Sequence, residues 1–279
     1  MYQYTDTQKN RLSELGADRK ELEKEYESAA DRQKDFQILE KKLAKKNKDH
    51  ITGLLKESRR ASLCTLHEDL AHMLCANGFT EIVTPTIISR RALSNMTITP
   101  DNPLYEQVFW IDSNQALRPM LAPNLYEVSR QLIDSQGLPL RVFEIGSCFR
   151  KESEGKSPLK EFTMLNLVEW GTPMEERTAR LREFATMVMG AAGIEDYQLA
   201  GDDSVVYGEG IDVVGSDGLE LASSSMGPHK LDDAWKITCT WVGIGFGLER
   251  LLMYRQRRGG IHAYSRSNTF LDGACLKVK

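Results

Sequence analysis

The stretch that decides the fold is Cys148 to Leu167, CFRKESEGKSPLKEFTMLNL, in which two apolar runs flank a segment dense in charge. Apolar residues close together on both sides of a polar tip predict a β-hairpin over 140–170. In extended strands alternate residues share a face, so Val142, Glu144, Gly146, Cys148 and Arg150 lie on one side of the outgoing strand, and Phe162, Met164, Asn166 and Val168 on one side of the return. Isolated buried charge is expensive. A carboxylate, a guanidinium and an amide among these apolar neighbours therefore point to a polar ligand on this surface. The fork of Arg150 suits phosphate oxygens. The alternative reading of the segment is an exposed hairpin with a charged tip.

A second unusual strand lies downstream. In GIGFGLERLL, Gly243, Gly245 and Gly247 alternate and then give way to a helix starting near Leu248. Alternate glycines strip the side chains from one face of a strand, so that a flat ligand can lie against backbone. The pattern is neither a dinucleotide fingerprint nor a Walker loop. Around these two segments, short strands cluster at hairpin spacing: VFWI at 108–111, GIDVV and LELASSSMG. Helices are predicted from Ala122 and over 178–193. The fold expected is α+β, a largely antiparallel sheet flanked by helices, rather than a doubly wound sheet.

The N-terminal part differs. Residues 1–57 are polar, with apolar positions at helical spacing at Leu22, Tyr26 and Ala29 and again at Phe36, Leu39 and Leu43, which predicts one or two helices forming an extension to a domain over 58–279. The run KKLAKKNK places five lysines between Lys41 and Lys48, either a solvated helix face or a phosphate-contacting patch. A stronger helix is predicted from Ser58, with Leu63, Leu66, Leu70 and Leu74 on one face and Gly78 as its stop. Next comes FTEIVTPTIIS, whose Pro85 restricts it to an edge or to a break in pairing.

The 279 residues carry a net charge of −4, so any polyanion contact must be local. The five cysteines show no metal-ligand spacing and are read as reduced thiols. With no membrane-length apolar run and no apolar leader at the N-terminus, no membrane role and a cytoplasmic location are expected.

Taken together, FRKES…EFTMLNL and GFGLERLL resemble motifs 2 and 3 of the class II aminoacyl-tRNA synthetases, and GFTEIVTPTI resembles their dimer-forming motif 1. With RPMLAPNLY, FEIGSCFRKES, SVVYGEGIDVV and WVGIGFGLERLL, the chain from Ser58 onward is similar to the pyrrolysyl branch of that family, in its short form without a separate N-terminal tRNA-binding domain. The resemblance implies an ATP-dependent ligase that activates pyrrolysine or a close lysine derivative and transfers it to an amber-suppressor tRNA, acting as a homodimer. ATP would be held by Arg150, Glu152, Pro158, Leu159, Phe162, Glu220, Gly245, Phe246, Gly247, Leu248 and Arg250, of which Arg150, Glu152 and Arg250 serve catalysis. Mg2+ would sit on Glu220 and Ser223. The amino acid would meet Ala122, Leu125, Tyr126, Ser129, Asn166, Val168, Tyr207, Ser223, Ser225 and Trp241. Ser129 and Ser225 stand where relatives are apolar, Ile244 where they carry a small residue, and Ser157, Pro158 and Lys160 depart from the family's loop. A class II enzyme for another amino acid and a non-catalytic tRNA-binding paralogue are the alternatives.

Overall fold

A computed structural model describes residues 1–151, 159–204, 208–257 and 259–278, and the chain divides into two compact units, Met1–Thr65 with Leu252–Lys279, and Leu66–Leu251. The expectations placed on Glu152, Ser157, Pro158 and Tyr207 lie outside the described residues.

In the first unit, strand β1 (Tyr2–Gln3) pairs antiparallel with β2 (Glu25–Tyr26), and helices α1 (Asp6–Glu14), α2 (Arg19–Leu22) and α3 (Ala29–Glu57) follow capping signals. Thr5 with Gln8, and Asp18 with Glu21, form reciprocal capping boxes, while the Ser28 hydroxyl accepts the Asp31 N–H. The helical spacing of Leu22, Tyr26 and Ala29 is thus broken by a strand, because Ser28 starts α3 one residue before Ala29. Tyr4, Leu12, Leu15, Leu39, Leu43 and Cys275 make the core of this unit. The buried Asn47 ties three segments together: its Nδ2 donates to the carbonyls of Leu15 and Leu43, each at 2.9 Å, and its Oδ1 accepts the Cys275 N–H at 2.7 Å. Lys41, Lys42, Lys45, Lys46 and Lys48 are all exposed on α3.

Helix α4 (Ser62–Ala76) begins four residues later than Ser58, since Ser58 is left-handed at φ 48° and ends α3. Leu66, Leu70 and Leu74 are its buried stripe. Next come β3 (Thr80–Glu81), β4 (Ile87–Ser89), α5 (Arg90–Asn95), α6 (Pro103–Glu106), β5 (Gln115–Leu117) and α7 (Ala122–Gln136). The segment 108–111 is not a strand: Val108 is fully buried, and Trp110 makes one isolated bridge to Ala116 while packing on Tyr105 at 5.0 Å and under Arg90 at 4.6 Å. Four successive apolar residues here serve local packing rather than a ladder.

The hairpin is β6 (Leu140–Phe149) and β7 (Glu161–Trp170), and it is followed by α8 (Arg177–Ala191), β8 (Tyr197–Ser204), β9 (Gly208–Gly215), β10 (Glu220–Gly227), α9 (Asp232–Trp235), β11 (Trp241–Gly247) and α10 (Leu248–Gln256), with β12 (Phe270–Leu271) and β13 (Ala274–Cys275) closing the chain. The large sheet has the order β3-β6-β7-β11-β10-β9-β8 and is antiparallel except at its β3-β6 edge. Pro85 falls after that short edge strand, where pairing stops, and β4 pairs instead with β5. One sheet face carries Val142, Cys148, Val168, Trp170 and Trp241, packed with Ala122, Leu125 and Tyr126 of α7. The alternate residues Phe143, Leu165, Leu167, Val242, Ile244 and Phe246 are buried as well, so helices cover both faces of an α+β sheet.

Candidate active site

Directly opposed residues in an antiparallel pair share a face. Read across the centre of the sheet, Asn166 lies opposite Gly245, which lies opposite Ser223. One row further, Val168, Gly243 and Ser225 align, and beyond them Trp170, Trp241 and Gly227. The glycines of β11 remove the middle column of side chains, and a cavity of about 440 Å³ stands over the backbone they leave bare. A Cβ on Gly245 would come 2.8 Å from Asn166 Oδ1, so that position admits no side chain without moving the amide. A Cβ on Gly227 would overlap the Trp241 indole.

At one end of the cavity stand Arg150, Phe162, Glu220 and Arg250. Arg150 Nε donates to the Pro119 carbonyl at 2.9 Å, and its Cζ lies 5.3 Å from the Phe162 ring centre. Burial lowers the pKa of this guanidinium below its ordinary value, the nearby Arg250 adding to the effect while Cys148 and Glu220 oppose it, yet an arginine stays charged. A site that holds a cation at this cost is suited to an anion. Burial also pushes the adjacent Cys148 thiol up to about 12, which makes it inert packing. Arg250 donates to the backbone carbonyl of Glu220 at 2.8 Å and to its carboxylate at 3.0 Å. Strict alternation would set Glu220 and Ser223 on opposite faces, but the register shifts between Glu220 and Ala222, and both line the cavity.

Glu249 fixes where Arg250 points. Its buried carboxylate accepts the Thr163 N–H at 2.9 Å with both oxygens and the Thr163 hydroxyl at 2.9 Å, which pins the first turn of α10 to β7. The sequence reading did not single this residue out.

At the other end Ala122, Leu125, Tyr126, Val168, Trp170 and Trp241 form an apolar box. Tyr126 meets the rings of Trp170 at 5.2 Å, Trp235 at 5.5 Å and Trp241 at 5.9 Å. Asp232, 3% exposed, braces it: the carboxylate accepts the Tyr126 hydroxyl at 2.9 Å, Trp241 Nε1 at 3.0 Å and the His229 N–H at 2.6 Å. Nothing in the sequence paired Asp232 with residues so far along the chain. Three lining residues carry a buried polar atom with no hydrogen-bond partner: Asn166 Oδ1, Trp170 Nε1 and Ser225 Oγ.

Of the residues expected at the site, the cavity gathers Arg150, Arg250, Phe162, Glu220, Ser223, Ser225, Gly245, Gly247, Ala122, Leu125, Tyr126, Asn166, Val168 and Trp241. Leu159, Phe246, Leu248 and Ser129 are not in its lining; Phe246, Leu248 and Ser129 are fully buried, and the Ser129 hydroxyl is also unpaired. Glu144 differs from the expectation of a ligand-facing carboxylate. It is satisfied internally, accepting from Arg118 at 2.7 Å, the Thr84 N–H at 3.1 Å and the Thr84 hydroxyl at 2.7 Å. Gly146 leaves the room that Arg118 fills. The signal was available, since a buried carboxylate requires a cation and Arg118 heads RPMLAPNLY.

A carboxylate at Glu220 and a hydroxyl at Ser223 are hard oxygen donors, the kind that hold Mg2+ when substrate phosphates complete the shell. Among the described residues no group of three or more His, Cys, Asp or Glu could cage a metal alone. The pair therefore fits an ion shared with a phosphate and not a closed protein site.

Comparison with known proteins agrees with this geometry. Residues 52–204 match the family model of the phenylalanyl tRNA synthetase beta chain CLM domain. The crystal structure of pyrrolysyl-tRNA synthetase from Desulfitobacterium hafniense is similar at TM-score 0.93 and 48% identity, over 99% of each chain. That of Desulfitobacterium hafniense PylSc, a pyrrolysyl tRNA synthetase, is similar at TM-score 0.92 and 47% identity, over 98% of this chain and 95% of that one. Giardia lamblia prolyl-tRNA synthetase, solved in complex with prolyl-adenylate, shares the fold at TM-score 0.58 and 14% identity, over 68% of this chain and 44% of that one. No described helix is long and apolar enough to cross a membrane. Carrying the antiparallel sheet, the cleared central strand and near-half identity over its length, the chain belongs to the pyrrolysyl-tRNA synthetase family of class II aminoacyl-tRNA ligases.

Proposed function

We propose that this chain uses ATP to activate pyrrolysine, or a close lysine derivative, as an aminoacyl-adenylate and transfers it to an amber-suppressor tRNA. The observation that carries the reading is the single cavity that joins a cationic, aromatic end at Arg150, Phe162 and Arg250 to an apolar box with one free amide at Asn166. A nucleotide and a long side chain with one amide fit these two ends, and their reacting groups meet between them.

On this reading Arg150 neutralises the α-phosphate while the substrate carboxylate attacks it, and Glu152, Pro158 and Leu159 close the adenine side. Phe162 and Arg250 hold the adenine between them, over backbone at Gly245 to Leu248. Glu220 and Ser223 would hold Mg2+, which would supply neutralising charge to the phosphates. Asn166 donates to the side-chain amide carbonyl, Tyr207 closes over the cap, and Ala122, Leu125, Tyr126, Ser129, Val168, Ser223, Ser225 and Trp241 shape the pocket. In-line displacement needs charge stabilisation and alignment and no covalent enzyme intermediate. A tRNA ligase works where tRNA is, which puts the chain in the cytoplasm. The extension over 1–57 would contact tRNA phosphates through its exposed lysines, and the motif 1 segment, with Val83 89% and Ile87 47% exposed, would face a second copy in a homodimer.

Aminoacylation of the suppressor tRNA tests this reading, with pyrrolysine, lysine and phenylalanine compared. Charging with pyrrolysine alone is expected. Charging with phenylalanine or lysine, or none with any of the three, overturns it.

A further inference from the structure

We propose that Arg118 is a positioning residue for the activation step: it sets the carbonyl that aims the Arg150 guanidinium at the α-phosphate of ATP, and so acts on the reaction through Arg150 without touching a substrate. The proposal rests on the function proposed above and adds to it a residue outside the cavity lining.

Three observations carry it. First, Arg118 is 2% exposed and is tied to its surroundings by main chain and side chain alike. Its N–H donates to the Thr86 carbonyl at 2.9 Å, and its own carbonyl accepts the Phe149 N–H at 2.9 Å. Its Nε donates to the Ser147 carbonyl at 2.8 Å, and its Nη1 to the Glu144 carboxylate at 2.7 Å and the Thr84 hydroxyl at 2.9 Å. Balancing Glu144 needs only a cation. The bonds to Ser147 and Phe149 do something further, since they hold residue 118 against the end of β6 immediately before Arg150. Second, the next residue is Pro119, whose carbonyl accepts Arg150 Nε at 2.9 Å. The proline ring fixes φ, so the direction of this carbonyl follows closely from where Arg118 is held. Third, among the described residues that bond is the one hydrogen bond of the Arg150 side chain. The main chain there is anchored separately, the Arg150 N–H donating to the Lys160 carbonyl at 3.1 Å and the Lys151 N–H to the Gln107 carbonyl at 2.7 Å. Backbone bonds place the Arg150 Cα, and the Pro119 carbonyl decides where its guanidinium points. With Nε engaged, the N–H groups of the two terminal nitrogens remain for phosphate oxygens.

Gly146 serves the same contact. It shares a face of β6 with Glu144, and a Cβ there would overlap a terminal nitrogen of Arg118. A methyl at this position displaces Arg118 while leaving every charge in place.

ATP–pyrophosphate exchange with pyrrolysine tests this in Arg118→Lys, made both in the wild-type chain and in Arg150→Ala. The rate is expressed per active site, counted by the pyrrolysyl-adenylate formed in a single turnover, so unfolded protein drops out. Lysine keeps a charge against Glu144 but lacks the fork that reaches Ser147 at the same time. In the wild-type chain kcat should fall about tenfold, part of the ~10²-fold that a misplacement of about 1 Å can cost. The KM for pyrrolysine should change less than about twofold. In Arg150→Ala the same substitution should change kcat less than about twofold, because residues that act as a unit are not additive. Should Arg118→Lys not fold, Gly146→Ala is read in the same way in both backgrounds. An unchanged kcat per site, or the same fold loss with and without the Arg150 side chain, overturns the proposal, makes Arg118 a structural partner of Glu144 and leaves the parent reading standing. Undiminished exchange in Arg150→Ala itself overturns both.

Discussion

Replacing Asp232 with alanine takes away the acceptor shared by the Tyr126 hydroxyl, the Trp241 indole N–H and the His229 backbone N–H. Each buried donor left unpaired costs about 1–3 kcal/mol. The Tyr126 hydroxyl and the indole N–H lie in the same buried network, so their losses overlap, and together they amount to roughly 2–4 kcal/mol. Part of this appears as lost stability. The rest appears as a pocket whose walls no longer hold one position: Gly227 is already overlaid by the indole on one side, so Trp241 relaxes toward the cavity. The amino-acid KM should rise roughly 10- to 100-fold, the equivalent of ~1.4–2.8 kcal/mol of binding. The KM for ATP should stay within about threefold, because the brace acts at the opposite end of the strands from Arg150 and Phe162. Asp232→Asn keeps one acceptor oxygen but offers N–H₂ to an indole that cannot accept, so it should fall between the wild-type chain and alanine. Exchange kinetics with each substrate varied at saturating levels of the other measure both constants. Parallel rises in the two KM values, or an unchanged amino-acid KM in folded Asp232→Ala, refute the reasoning.

Three other outcomes are expected. Gly245→Ala sets a methyl 2.8 Å from Asn166 Oδ1 and should raise the amino-acid KM about tenfold while Tm changes little, as read by exchange kinetics and thermal melting. Asn47→Leu leaves the carbonyls of Leu15 and Leu43 and the Cys275 N–H without their buried partner, and should cost about 2–4 kcal/mol in urea unfolding. The Tyr4 hydroxyl, then that of Tyr26, hold the Asp35 carboxyl below its ordinary value. A depressed carboxylate contributes stability above its unfolded pKa and loses it as pH falls through the lower folded value, so below about pH 4 Asp35→Asn should flatten the acid limb of the stability curve.

The hairpin and the glycine strand could be read in advance because each announces itself locally. Alternation fixes which residues share a face, and Gly243, Gly245 and Gly247 mark where that face is open. The register then brought Asn166 beside Gly245 without further information. Segments whose role depends on distant partners could not be read this way. Phe109 and Trp110 look like a strand, but Trp110 is held by Tyr105 and Arg90. Tyr26 keeps helical spacing with Leu22, yet it pairs with Tyr2 in a strand and donates to Asp35 at 2.7 Å. Asp232 is one of two acids in KLDDAW, and its importance comes from Tyr126, 106 positions earlier. Glu144 was noticed for the right reason, the cost of a buried charge, and lacked only its partner Arg118, 26 residues away. Local chemistry was legible, and long-range pairing was not.

The central claim is that one cavity binds a nucleotide at Arg150 and a lysine derivative at Asn166. ATP–pyrophosphate exchange dependent on pyrrolysine, measured in the wild-type chain and in Arg150→Ala, tests it most directly. The account predicts exchange in the wild-type chain, none with lysine in place of pyrrolysine, and a loss of about 10²-fold or more in the variant, the scale of removing one positioned charge stabiliser. Undiminished exchange in folded Arg150→Ala, or exchange that lysine supports equally well, would contradict it.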